Sequence, residues 1–172
     1  MSKLLTLKSL LLFGVAIFVS AAADAQSPAA TASGTAAGSA ITITYHSPAV
    51  KGRKIWGELV PYGEVWRTGA NEATIFETSK DITIGGKTVK AGKYSLYTLP
   101  GEKEWKFILN SETGQWGINN DGSTTDDSSK DVLSTVVTPM KSDSFNERML
   151  FKVNDDGIVL LWENLAVPVP IK

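Results

Sequence analysis

A compact and chemically varied set of polar side chains lies in Trp66-Arg67-Thr68-Gly69-Ala70-Asn71-Glu72. A guanidinium offers donors in a fixed fork, an amide both donates and accepts, and a carboxylate accepts, so together the three can grip a polar ligand. The same residues can instead serve only their own loop, with Arg67 paired to Glu72 or Glu64 and Asn71 closing the turn through its backbone. A second set follows Tyr45-His46-Ser47-Pro48, where Lys51, Arg53 and Lys54 place three cations within four residues. Such a run suits an anion, a uronic acid or an acidic lipid head group, or it is a solvated face.

Catalysis is harder to assemble. His46 is the only histidine, so histidine acid–base chemistry near neutral pH would have to run through it. Its neighbour Ser47 would point to the opposite face of a strand, and the sequence holds no Gly-x-Ser-x-Gly elbow. The lack of cysteine excludes disulfides, thiolate zinc sites, iron–sulfur clusters and thiol nucleophiles. Carboxylates and carbonyls remain as metal ligands, a set that favours calcium. The polar loop from Asn119 to Asp127, however, lacks the spacing of a helix-loop-helix calcium site. Neither a metal nor another cofactor is expected.

Two routes to carbohydrate chemistry remain. Glycoside hydrolysis would draw on Glu58, Glu64 and Glu72, whose separation decides whether a two-carboxylate mechanism is possible. Recognition without chemistry would use aromatic rings, which pack on the apolar face of a pyranose while polar neighbours take the hydroxyls. Trp56, Trp66 and Trp116 stand near glycines and polar loops, whereas Trp105 and Trp162 alternate within strand-like runs and belong in the core. A net charge of −1 over 172 residues leaves no basic footprint for a phosphate backbone, so nucleic acid is not an expected partner.

These residues need a scaffold, and the chain announces one. Lys3 and Lys8 precede an apolar run from Leu10 to Ser20 that ends in Ala23-Asp24-Ala25, the pattern of a secretory signal peptide over residues 1–25. The apolar run is too short for a retained transmembrane anchor, so the expected destination is the periplasm or the medium. Residues 26–40 hold almost only Ala, Ser, Thr and Gly and read as a flexible linker. All five tryptophans lie between Tyr45 and Trp162, which places a single domain at residues 41–172.

Within that domain the apolar period is two, with turn chemistry between the runs. Gly85-Gly86 marks a tight hairpin. The segments 93–99 and 104–110 make a second hairpin, and 148–153 with 158–162 a third, around Asn154-Asp155-Asp156-Gly157. Further strands are expected at 41–45, 72–78, 132–138 and 165–171, the last an edge or terminal strand because Pro168 and Pro170 lack ladder donors. The segment 119–131 reads as an exposed loop. Many short strands and little helix predict an all-β fold, an antiparallel β-sandwich of jelly-roll-like kind.

The stretches Val50-Lys51-Gly52-Arg53, Gly57 to Thr74, Ala91-Gly92-Lys93-Tyr94-Ser95-Leu96-Tyr97 and Gly114-Gln115-Trp116-Gly117 resemble domain-of-unknown-function family 2911. The resemblance implies an exported, compact β-rich domain with no assigned activity. It also implies that Arg53, Trp66, Arg67, Gly69, Asn71 and Glu72 belong to the family pattern. His46 falls where the sequence departs from that pattern, so the resemblance lends it no family-wide role.

The leading expectation is therefore a binding module for a glycan or another cell-envelope component, with Arg53, Trp66, Arg67, Asn71, Glu72, His46 and Trp116 as its candidate ligand-binding residues. A hydrolase acting on an envelope substrate, with Glu72 as acid or base and Arg67 stabilising negative charge, is the alternative. A structural protein-interaction domain is the third. The oligomeric state is left open.

Overall fold

A computed structural model describes residues 27–172. The expected signal peptide, residues 1–25, lies outside the described residues. Ten strands follow one another: β1 (Ala29–Ala36), β2 (Ser39–His46), β3 (Thr74–Thr78), β4 (Ile82–Ile84), β5 (Lys87–Val89), β6 (Gly92–Leu99), β7 (Trp105–Asn110), β8 (Asp131–Val137), β9 (Met140–Asn154) and β10 (Gly157–Pro170). The only helical element among the described residues is a single 3-10 turn, Ser128–Lys130.

Six strands form one antiparallel sheet in the order β1-β2-β3-β6-β7-β8. The connections are those of a meander, with the short β4–β5 hairpin inserted between β3 and β6. The crossed connections of a jelly roll do not occur among the described strands. The long β9–β10 ribbon is the second layer. Alternation on β2 buries Ile41, Ile43 and Tyr45, and on β3 it buries Thr74, Phe76 and Thr78. These meet Met149, Phe151, Leu160 and Trp162 of the ribbon in one continuous core, the two-layer arrangement that half-buried strands require.

The expected hairpins form. β4 and β5 turn through Gly85 and Gly86, both with positive φ, β6 pairs β7, and β9 pairs β10 around Asp155-Asp156. Pro168 and Pro170 lie beyond the last ladder pair, Ala166 with Met140, where no donor is demanded of them. β6 departs from simple alternation, burying every residue from Tyr94 to Thr98. The reason is a second small core on the outer face of the sheet, made by Ala73, Tyr97 and Ile108 with Val65 packed against it.

The linker expected at 26–40 is not what the structure contains. Residues 29–36 are strand β1, paired with β2 from Ala29↔His46 to Ala36↔Ser39. The small side chains that suggested a tether are what the position demands. Ala30 and Ala32 pack on the core, Ala36 is fully buried, and a Cβ on Gly34 would stand 3.0 Å from Cβ of Val153. The connecting Ala37-Gly38 turn has φ of 48° and 74°, the twist that matches a two-residue hairpin. The β domain thus includes the region assigned to the linker.

Candidate functional site

The polar cluster at 66–72 is held at one end of the sheet by main-chain bonds. Trp66 N donates to Thr98 O at 2.7 Å, and Thr98 N returns the bond to Trp66 O at 2.9 Å. Thr68 and Asn71 then adopt φ of 54° and 58°. For a β-branched residue such as Thr68 this conformation is strained, at a cost of about 1–3 kcal/mol that surrounding contacts must offset. Those contacts are present. The buried Thr68 hydroxyl lies 3.1 Å from Thr98 Oγ1 and 3.2 Å from Trp66 O, and Thr74 Oγ1 donates to Thr68 O at 2.8 Å. The bonded turn fixes the point from which Arg67 leaves the main chain.

Beside this loop opens a cleft of about 390 Å³ whose walls include Trp66, Trp162, Arg67, Arg53, Glu64 and Ile118. That volume is in the range of small-molecule sites, about 300–1,000 Å³. The aromatic wall distinguishes this hollow. Trp66 stacks on Trp162 with centroids 5.9 Å apart and planes at 20°. Trp56 stands edge-on behind both, 6.1 Å from Trp66 and 5.6 Å from Trp162, and continues to Trp105 at 5.0 Å.

The polar atoms of the cluster are unevenly satisfied. Trp66 Nε1 donates to Gly69 O at 3.1 Å. By contrast, Trp56 Nε1, Trp162 Nε1, Arg67 Nε and Arg67 Nη1 are buried with no hydrogen-bond partner among the described residues. Each such orphan costs about 1–3 kcal/mol. All four are donors. Burial pushes the Arg67 pKa below the usual guanidinium value, with the Glu72 charge pulling the other way. The group remains a cation at any physiological pH.

The remaining candidates divide. Arg53 reaches the cleft but donates Nε to Val50 O at 3.1 Å and Nη2 to Ala49 O, so it also ties down its own loop. Asn71 Nδ2 donates to Ser27 O at 3.3 Å, and Ser27 in turn lines the cleft. His46 and Glu72 pair with each other, Nδ1 to Oε2 at 3.1 Å, and neither belongs to the cleft wall. Trp116 is 49% exposed and stands outside it. Of the glutamates considered for hydrolysis, Glu58 pairs with Lys54, and Glu64 alone of the three lines the cleft.

Two features escaped the sequence. Trp162 is in the core as expected, 1% exposed, yet it also walls the cleft and carries an orphan N–H. Nothing in strand alternation shows whether an indole N–H has found a partner. The second is a clasp under the loop 111–127. The fully buried Asn110 donates Nδ2 to Asp131 Oδ1 at 2.9 Å, Asp126 Oδ1 at 3.1 Å and Asp127 O at 2.8 Å, and its Oδ1 accepts from Glu112 N at 2.9 Å. Burial first, then the neighbouring Asp131 charge, pushes the Asp126 carboxyl up to about 6. Burial raises Asp131 as well. Beyond the clasp the same loop carries Gly117, Ile118 and Gly122 to the cleft region, and Thr125 Oγ1 lies 3.2 Å from the Tyr97 hydroxyl.

No curated protein and no solved structure matches the chain. The sequence model of one family, described as protein of unknown function (DUF2911), matches residues 27–171. The match begins with the segment that precedes β1, runs through both walls of the cleft and ends at the close of the last strand: the chain belongs to the DUF2911 family.

Proposed function

We propose that this protein is an exported binding domain that takes a carbohydrate-like component of the cell envelope in the cleft between Trp66, Trp162, Arg53 and Arg67. The observation that carries the reading is that one cleft brings the Trp66–Trp162 stack together with two guanidiniums, Arg53 and Arg67, of which Arg67 has no ion-pair partner among the described residues. A partly desolvated cation without a counterion is costly, whereas a ligand that offers it an acceptor recovers part of that loss. The tryptophan wall supplies the apolar surface that a sugar ring needs, and the volume suits a small ligand. The N-terminal sequence supports export. A two-carboxylate hydrolase is less well served, because Glu72 is engaged by His46 away from the cleft.

The test is a thermal-shift screen of the purified protein against envelope glycans and their fragments, with Arg67→Ala alongside. A ligand that binds only the folded state raises the midpoint by mass action. The reading expects at least one glycan fragment to shift the wild type and not a folded Arg67→Ala variant. It is overturned if no glycan shifts the wild type, or if the shift survives in the variant.

A further inference from the structure

The ligand class can be narrowed from the polarity of the cleft, an inference that rests on the binding reading above. The cleft wall carries the guanidiniums of Arg53 and Arg67, groups that donate and never accept. A sugar hydroxyl both donates and accepts, so a neutral glycan would bring donors of its own to a wall already rich in them. A carboxylate or sulfate oxygen only accepts.

Charge points the same way. Two guanidiniums and one carboxylate, Glu64, line the cleft, although the whole chain carries a net charge of −1. Arg67 is partly desolvated and has no ion-pair partner within 4.0 Å among the described residues. The carboxylate that most influences it, Glu72, holds His46 instead. A desolvated cation without a counterion is costly until an anion completes it. Gly117 presses against the aliphatic stem of Arg67, leaving no room for even a Cβ there.

We propose that the cleft recognises an oxyanion carried on a pyranose ring, with the ring against Trp66, the charged group on Arg67 and a second cation supplied by Arg53. The oxyanion is the carboxylate of an acidic sugar or the sulfate of a sulfated one, which share acceptor-only chemistry and negative charge. Arg67 makes the short charge-assisted contact through Nη2, the guanidinium nitrogen that is not enclosed.

Calorimetry at low salt with methyl glucuronide, a sulfated methyl glucoside and neutral methyl glucoside tests this directly. Tryptophan indole resonances, read by two-dimensional NMR, report on the same samples. The expected result is binding of one or both acidic sugars at least about tenfold tighter than the neutral one, as charge-assisted bonds are roughly twice as strong as neutral ones. Binding should weaken as salt is added and be lost in Arg67→Gln. The Trp66 indole signal should move on binding. The two acidic probes distinguish a carboxylate from a sulfate requirement. Because Arg67→Gln alters a half-buried position, Arg53→Gln at the exposed position provides a second variant, with a several-fold loss expected. Equal affinity for the neutral sugar, reduced in Arg67→Gln, overturns the oxyanion inference and leaves the binding reading standing. Absence of binding by all three probes overturns the oxyanion inference, and the binding reading falls with it only if the wider glycan screen also fails; binding indifferent to both substitutions overturns both.

Discussion

Gly117 stands against Arg67 so closely that a Cβ on the glycine would lie 2.6 Å from Cδ and 2.7 Å from Cβ of the arginine. With φ at 91°, the glycine also occupies backbone that other residues rarely adopt. Gly117→Ala should therefore lower stability by about 1–3 kcal/mol and displace the Arg67 stem from the cleft wall. Urea unfolding measures the first effect and ligand titration the second. Wild-type stability and affinity in the variant would show that the close approach is not a constraint.

Thr68 offers a reversal of the usual ranking. Ala normally outperforms Gly in ordered structure, but φ at Thr68 is 54°, a conformation that costs a Cβ-bearing residue about 1–2 kcal/mol relative to glycine. Both Thr68→Ala and Thr68→Gly lose the hydroxyl contacts to Thr98 and Trp66. Only the alanine variant keeps the strain. Thr68→Ala is expected to be no more stable than Thr68→Gly, and a clear advantage for alanine in equilibrium unfolding would contradict the strained-turn account.

The Asn110 clasp predicts a pH dependence. The Asp126 carboxyl is raised from 3.8 to about 6 in the folded protein, so folding favours its neutral form. The stability this contributes is complete below about 3.8 and is lost as pH rises through about 6. Asp126→Asn keeps the shape, lets the side-chain carbonyl accept from Asn110 and places an amide donor towards Asp131. The variant should melt higher than wild type above pH 6.5 and lack the decline that Asp126 adds between pH 4 and pH 6.5. Parallel melting curves across that window would show that Asp126 ionises freely.

For the His46–Glu72 pair the expected effect is small. Glu72 is largely exposed, and such pairs contribute about 0–1 kcal/mol. Glu72→Gln should therefore change the melting temperature little and leave cleft affinity within about threefold. A hydrolase using Glu72 as its acid or base makes the opposite prediction, so loss of a measured glycan turnover in this variant would restore that mechanism.

Strand chemistry was readable because it is local. Gly85-Gly86 and the Asn154-Asp155-Asp156-Gly157 segment carry their turn signals in sequence, and Ile41, Ile43 and Tyr45 their alternation. β1 was not readable, since Ala30, Ala32 and Gly34 become meaningful only when Val153 is seen beside them. At the site, the loop chemistry identified Trp66, Arg67 and Arg53, which the fold brings to one cleft. It could not separate them from Asn71, Glu72 and His46, because sequence proximity does not say which side of a loop a side chain takes. Trp162 joined them from a strand nearly a hundred residues away.

The β1 hairpin also decides which edge the large sheet presents. Its main chain occupies the hydrogen-bonding edge of β2 from Ser39 to His46, a strand that presents Ile41, Ile43 and Tyr45 on one face. Stripped of residues 27–38, that edge would be a long, regular template of bare N–H and C=O groups, open to strands of other chains. β1 moves that edge outward onto a segment of alanines, serines and threonines: it satisfies the apolar strand beside it while offering neighbouring molecules little greasy surface of its own.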